Sequence, residues 1–312
     1  MISTLEVIKA GLLTTVQDIP GRNGLRKYGI PTSGALDTHH AELANWLVGN
    51  PMESPLLEIT LGNAEFRFTK GTVVGVTGGI AKLYVGDRSV QTNRNIKVEP
   101  GQTLRIERVT KGARMYLSVA GDWKLKKELG SCSTYRTAEL GGFNGRELRT
   151  GDRIEVDVSG VKFTEKVIPK KLMPHYSQHQ MIRVMAGPEW KWLTEKQQEK
   201  ILELRFGVSS TSNRMGLRLN SKMALNIQDS EFSSVPVVPG IVQLPPGGNP
   251  IVLMNDAQSV GGYPRILKVA DADLWRLGQV WQGNEISFSL IDRRGALELF
   301  DYYRELRASY LT

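Results

Sequence analysis

The sequence predicts a mainly β protein with a few short helices, arranged as two tandem β-barrel-like domains. Three observations carry this. The chain has 312 residues, more than one average domain. Short runs rich in β-branched and aromatic residues recur about every ten residues, with Gly, Pro and Asn between them. Several segments of the first half also recur, in the same order, in the second.

The elements follow from local pattern. Leu5–Ile8 and Thr14–Asp18 are strands, separated by Gly11 and closed by the turn-rich run Ile19-Pro20-Gly21-Arg22-Asn23-Gly24. Tyr28 to Asp37 is a loop with small and hydroxyl residues. Ala41, Ala44, Leu47 and Val48 fall on one face of a helix that Asp37 or Thr38 caps and Gly49-Asn50-Pro51 stops. Leu56–Thr60, Ala64–Phe68 and Thr72–Val76 are strands, and Lys82–Val85 turns through Gly86-Asp87 as a hairpin. Glu99-Pro100-Gly101-Gln102 is a turn before the strand Thr103–Ile106. Periodicity fades from Ser159 to Pro174, so the linker is set at residues 166–180, between domains 1–165 and 181–312.

The second domain echoes the first. Leu5 to Gly11 matches Met181 to Gly187, Tyr28 to Ser33 matches Phe206 to Thr211, Val73–Val76 matches Ile251–Met254, and Val98 to Gln102 matches Val280 to Asn284. Gly11 and Gly29 are 18 residues apart, Gly187 and Gly207 20; Gly29 and Gly101 are 72 apart, Gly207 and Gly283 76. This predicts a duplicated β unit.

Composition excludes several classes. Apolar residues make up 40% of the chain, enough for sizeable cores, and charged residues 23%. No apolar run nears the ~20 residues that cross a bilayer, and the start lacks a secretory leader, so a cytoplasmic protein is expected. One cysteine, Cys132, leaves no intrachain disulfide and fits a reducing compartment. The net charge of +8 is scattered and has no aromatic-interleaved stripe, so no nucleic-acid partner is expected.

The chemistry gathers at strand ends. The apolar run Ile251–Met254 leads into Asn255-Asp256-Ala257-Gln258-Ser259-Val260-Gly261-Gly262-Tyr263-Pro264. A carboxylate and two carboxamides at a strand-to-loop junction suit a site. In the matching first-half strand the junction is Thr77-Gly78-Gly79, without a carboxylate. In Ser212-Asn213-Arg214-Met215-Gly216, Asn213 and Arg214 either hold an anionic oxygen or form an ordinary turn. Gln243 opens the stiff loop Leu244-Pro245-Pro246-Gly247-Gly248-Asn249-Pro250, which either positions it or merely connects. No Walker-type phosphate loop and no dinucleotide fingerprint occur. His175 and His179 lack the further ligands of a zinc site, and no metal site is expected. Cys132 has no nucleophile context.

Several of these motifs resemble one family. Thr15-Val16-Gln17-Asp18, Gly21-Arg22, Pro31-Thr32-Ser33-Gly34-Ala35-Leu36-Asp37 and Ala44-Asn45-Trp46-Leu47-Val48-Gly49-Asn50 are similar to the allophanate-hydrolase-subunit-2-like family. The likeness continues through Leu129-Gly130-Ser131, Gly142-Phe143-Asn144-Gly145-Arg146, Ser212 to Gly216, Gln243 to Gly247 and Gly261 to Pro264. The family is also called biotin-dependent carboxyltransferase-like and includes the C subunit of 5-oxoprolinase and the Kip-type antagonist. This chain departs from its pattern at Ile19-Pro20-Gly21, where the family turn is shorter, at Cys132, where Arg is common, and at Ser259-Val260, where two threonines are usual.

The resemblance implies cyclophilin-like β-barrels and a hydrolase of a cyclic amide, active within a heteromeric complex. The reaction would be ATP-dependent opening of 5-oxoproline to L-glutamate, with subunit-B-like and subunit-A-like partners. ATP, with Mg, would be bound by the chain or through the complex, and no covalent biotin is expected here. Alternatives are a regulator that antagonises a subunit-B-like kinase inhibitor, or an allophanate or urea amide-processing subunit. On this reading Asn213 and Arg214 bind anionic oxygens, Asp256 handles a proton or metal, and Gln258 orients substrate. Asp18, Arg22, Ser33, Asp37, Gln243 and Tyr263 bind substrate or partner. Asp37 also keeps its simpler reading as a helix cap.

Overall fold

A computed structural model describes residues 1–220 and 232–311. Among them the chain is mainly β, with four α-helices, Thr38–Val48, Glu195–Glu203, Leu274–Leu277 and Arg293–Ala308. It divides into two compact units: Met1–Asn23 with Thr32–Tyr176, and Gly24–Pro31 with Ser177–Thr312. The short segment Gly24–Pro31 thus belongs to the second unit, although it lies far up the first half of the sequence.

The first unit lays its strands in two sheets. One runs Asp122–Trp123, Arg153–Asp157, Ile2–Lys9, Gly62–Phe68, Thr103–Arg108, Leu83–Val85, Arg88–Val90. The other runs Leu13–Gln17, Leu56–Thr60, Lys111–Val119, Thr72–Ile80, Asn95–Val98. Period-two alternation sets the register. In Gly62–Phe68, Ala64, Phe66 and Phe68 point inward while Asn63 and Arg67 face water. Leu5, Val7 and Leu104 from one sheet and Leu57, Val74 and Leu117 from the other join one apolar core.

Helix Thr38–Val48 lies on the second of these sheets. Its N-cap is Asp37, whose side chain accepts from the His40 amide, and its C-cap is Gly49 at φ 73°. It approaches so closely that a Cβ on Gly75 would stand 2.6 Å from the Ala44 carbonyl oxygen. Only glycine permits that contact.

The second unit closes a barrel. Its strands, in order, are His179–Ala186, Arg265–Val269, Ile241–Gln243, Ile251–Leu253, Gly216–Asn220, Phe206–Val208 and Glu285–Leu290, the last pairing in parallel with the first. Closure leaves no free edge in this ring. Ile182, Val184, Phe206, Val242, Val252, Leu267 and Phe288 are buried in this unit.

The pairing does not repeat the sequence correspondence. Ile2–Lys9 has two antiparallel neighbours, whereas His179–Ala186 has one antiparallel and one parallel. Thr72–Ile80 pairs with strands that follow it in sequence, and Ile251–Leu253 with strands that precede it. The matched segments share an apolar strand and a glycine turn, which recur in any β-rich chain. The contrast between Thr77-Gly78-Gly79 and Asn255-Asp256-Ala257-Gln258 therefore does not compare equivalent junctions.

Candidate functional site

The residues expected at a site fall into two clusters, one in each unit. Asp18, Arg22, Ser33 and Asp37 belong to the first. Asn213, Arg214, Gln243, Asp256, Gln258 and Tyr263 belong to the second, joined there by Arg26.

In the first unit Asp18 ends the strand Leu13–Gln17 and is buried. Its Oδ1 accepts from Ser131 Oγ at 2.7 Å and from Ser133 Oγ, and its Oδ2 accepts from the Cys132 amide at 2.6 Å. Arg22, fully buried, donates to the Ser133 carbonyl at 2.5 Å. A Cβ on Gly141 would stand 2.1 Å from Arg22 Nη2, so glycine there makes room for the guanidinium. Asp18 and Arg22 thus hold the 131–133 loop. Burial, and then the Asp18 charge, push the Cys132 thiol up to about 11, which keeps it protonated. Ser33 is different. It is buried at φ 53°, a costly conformation for serine, and its hydroxyl has no hydrogen-bond partner among the described residues.

Asp37 does cap the helix, and it does more. One carboxylate oxygen accepts from the His40 amide at 3.0 Å; the other lies 2.6 Å from His40 Nδ1. His40 Nε2 is 3.2 Å from the Tyr176 hydroxyl, which donates to the Gly78 carbonyl at 2.7 Å. The Asp37 amide donates to Tyr116 Oη at 2.8 Å, and that hydroxyl donates to Glu58 at 2.8 Å. Burial pushes the Asp37 carboxyl up, but the His40 charge and hydrogen bonds more than offset this and leave it lowered. Burial, with Asp37 nearby, pushes the Tyr176 phenol up and keeps it a donor. Sequence reasoning missed His40, Tyr176, Tyr116 and Glu58. The spacing of His40, three residues after a capping Asp, is the available signal.

In the second unit Asp256 follows the strand Ile251–Leu253, as expected, and is buried. Arg214 Nε donates to its Oδ2 at 2.9 Å and Arg214 Nη2 to its Oδ1 at 3.1 Å. The Asp256 amide also donates to the Arg214 carbonyl at 2.9 Å. Similar forks join Arg183 to Asp273 and Arg265 to Glu189 in the same unit. Asn213 Oδ1 accepts from the amides of Met215 at 2.8 Å and Gly216 at 3.3 Å, which makes it a turn former.

Arg26 reaches the Asp256 loop. Its Nη2 donates to the carbonyls of Val237 and Gln258, both at 2.7 Å, and its Nη1 to that of Ala257 at 3.4 Å. Gln243, at the end of Ile241–Gln243, is buried and donates to the Tyr263 carbonyl at 3.5 Å. Gln258 is exposed, and so is Tyr263. The carboxamides of Gln243 and Gln258 meet over Gly261: a Cβ there would stand 2.8 Å from Gln243 Nε2 and 3.2 Å from Gln258 Nε2.

Among the described residues no group of three or more His, Cys, Asp or Glu side chains could hold a metal ion. His179 Nε2 lies 2.9 Å from Ser287 Oγ. A concavity of about 590 Å³ opens in the first unit, lined by Val85, Arg88, Lys97 and Gln102 among others, and includes none of the expected site residues.

Known proteins share this architecture. The chain is 39% identical over 284 residues to the C subunit of 5-oxoprolinase from Escherichia coli, covering 91% of this chain and 90% of that one. It is 33% identical to the corresponding 5-oxoprolinase C subunit of Haemophilus influenzae, covering 95% and 94%. The structure of Kluyveromyces lactis urea amidolyase matches with a TM-score of 0.92 at 31% identity, over 97% of this chain but only 19% of that much longer one. The model of the carboxyltransferase domain, subdomain A and B, matches residues 28–290, and the chain belongs to that family.

Proposed function

We propose that this chain is the C subunit of an ATP-dependent 5-oxoprolinase, which opens 5-oxoproline to L-glutamate together with subunit-B-like and subunit-A-like proteins. The observation that carries the reading is the near end-to-end match to the Escherichia coli 5-oxoprolinase C subunit, 91% of one chain against 90% of the other. A lettered subunit fits a multi-subunit enzyme.

The chemistry asks for specific groups. A lactam resists hydrolysis because its nitrogen lone pair is delocalised into the carbonyl. ATP supplies the phosphoryl group that activates the lactam oxygen. Neither cluster offers an open phosphate cradle among the described residues. Arg214 is forked to Asp256, and Arg22 reaches the Ser133 carbonyl. We therefore assign ATP and Mg to the assembly rather than to these residues. This chain's part is to hold and orient the substrate. Arg214, forked to Asp256, fixes with it the loop that follows the strand and so the place of the residues that face the substrate. Gln258 orients the substrate, with Gln243 and Tyr263 beside it. Asn213 holds the turn that presents Arg214.

A second reading, as part of a urea-processing enzyme, draws on the fit to urea amidolyase. The chain corresponds to only 17% of the urea amidolyase of Lachancea kluyveri, so other proteins would have to supply the rest. A deletion strain separates the two. Loss of growth on 5-oxoproline as nitrogen source, with growth on urea intact, supports the first reading, and the reverse supports the second.

A further inference from the structure

We propose that the outer edge of strand Arg88–Val90 docks an extended, acidic segment of another protein, which adds one strand to the seven-stranded sheet of the first unit. The edge is separate from the second-unit cluster, and its role does not depend on the functional reading above. Arg88–Val90 ends its sheet and pairs with Leu83–Val85 alone. Leu83–Val85 lies in turn against Thr103–Arg108, where the Gly86 amide donates to the Thr103 carbonyl and the Glu107 amide to the Lys82 carbonyl, both at 2.9 Å. Backbone groups alternate in direction along a strand. Leu83 and Val85 therefore turn theirs toward Val90 and Arg88, and Ser89 turns its amide and carbonyl outward. Ser89 is exposed, and neither group has a backbone partner among the described residues.

The neighbouring edge shows what kind of occupant fits. Asn95–Val98 ends the other sheet of this unit, and there the chain covers itself. Arg94 and Val167 form an antiparallel bridge, the Asn95 amide donates to the Lys166 carbonyl at 3.1 Å, and the Ile168 amide donates to the Asn93 carbonyl at 2.9 Å. An extended segment thus closes one edge, while the other stays open. A groove of about 520 Å³ runs between them, with Arg88, Ser89 and Val90 on one side and Ile96, Lys97 and Phe163 among the residues facing them. Phe163 is 47% exposed, so a large apolar ring stands at the groove with nothing of this chain covering it.

Charge and register select the partner. Three cations, Arg88, Arg94 and Lys97, line the groove against one carboxylate, Glu165. Arg94 is paired with Glu165 and Lys97 with Glu99, whereas Arg88 has no carboxylate partner among the described residues. Arg88 and Val90 project to one face of their strand and Ser89 to the other. All the strand pairs of these two sheets are antiparallel. In an added antiparallel strand, the residue opposite Ser89 exchanges two backbone hydrogen bonds with it. The residue after it faces Arg88, and the residue before it faces Val90. The groove therefore reads apolar, any, acidic, from N- to C-terminus: a carboxylate for Arg88, and an apolar side chain for Val90 on the side where Phe163 lies.

The test titrates the full chain into a fluorescent peptide, Ser-Thr-Val-Thr-Glu-Thr-Ser, and follows anisotropy together with amide exchange at residues 88–91. Binding should saturate and slow exchange at Ser89. Arg88→Glu should weaken it about fivefold, as expected when an exposed ion pair becomes a repulsive one, and a peptide with Lys in place of Glu should recover it on that variant. Ser89→Pro removes the outward amide, which an open edge tolerates, and should abolish binding of both peptides with an unchanged thermal midpoint. A peptide N-methylated at its middle threonine cannot donate to the Ser89 carbonyl and should fail on the wild type, so the test holds even where Ser89→Pro does not fold. No saturation at millimolar peptide overturns the proposal, and so does equal binding by Arg88→Glu or by the N-methylated peptide. A dimer of the wild type that Ser89→Pro abolishes and the peptide does not disperse also overturns it, because the edge then belongs to a second copy.

Discussion

Arg214 grips both carboxylate oxygens of Asp256, at 2.9 and 3.1 Å, and its backbone carbonyl accepts from the Asp256 amide at 2.9 Å. Side chain and main chain thus tie the loop before one barrel strand to the end of its neighbour. Both side chains are 8% exposed. Removing one partner strands a buried charge, which costs about 3–5 kcal/mol, whereas an apolar pair of similar volume avoids that penalty. Asp256→Asn should lower the thermal midpoint of the second unit and reduce turnover. Arg214→Met combined with Asp256→Leu should recover stability and leave turnover low. Recovery of both would show that the pair is a brace without a part in function.

Arg26 predicts a local effect. Its guanidinium binds the carbonyls of Val237, Ala257 and Gln258 and has no carboxylate partner among the described residues. Arg26→Ala should speed amide hydrogen exchange around Ala257–Ser259 by about tenfold or more, since charge-assisted hydrogen bonds are worth about 1.5–3 kcal/mol. Arg26→Lys should not restore protection, because an ammonium cannot span three carbonyls as the planar fork does.

Asp37 predicts a pH dependence. Its folded carboxyl lies below the ordinary value of about 3.9, held there by His40 against the upward push of burial. A lowered carboxyl adds stability that is present above the unfolded value and is lost as pH falls through the folded one. Asp37→Asn keeps a competent cap and removes the charge. The wild type should be the more stable at pH 7, and denaturation curves should show its advantage shrinking below about pH 4. An advantage constant down to pH 2 would contradict the charge account.

Cys132 is 2% exposed and its thiol is pushed up to about 11. A disulfide reagent at pH 8 should label it slowly in the native protein and fully after unfolding. Cys132→Ser should leave turnover within about twofold of the wild type, as expected for a thiol outside the chemistry.

Much of the local structure is legible in the sequence. The strand Ile251–Leu253 and its polar end are, because an apolar run changes abruptly to Asn255-Asp256. The helix Thr38–Val48 is too, because its cap, apolar face and glycine stop agree. Pairing is not. Which strands neighbour Ile251–Leu253 depends on contacts dozens of residues away, and the apparent repeat dissolves there. The placement of Gly24–Pro31 in the second unit is equally hidden, since Arg26 looks like any surface arginine until its three carbonyl partners are seen. The cluster in the second unit is half legible. Asp256, Arg214, Gln243 and Gln258 stand out by residue type and position, but the sequence cannot show that Arg214 takes up Asp256 while the Gln258 side chain is exposed and makes no hydrogen bond among the described residues. In the first unit Asp37 stands out, whereas His40, Tyr116 and Tyr176 meet it only through the fold.

The most direct measurement is reconstitution by omission. The chain is mixed with purified subunit-B-like and subunit-A-like proteins, ATP, Mg and 5-oxoproline, and phosphate and L-glutamate are followed together. The account predicts that both products form in equal amounts in the full mixture and fall to background when this chain is left out. Equal turnover without the chain, or none with all three proteins present, would contradict it.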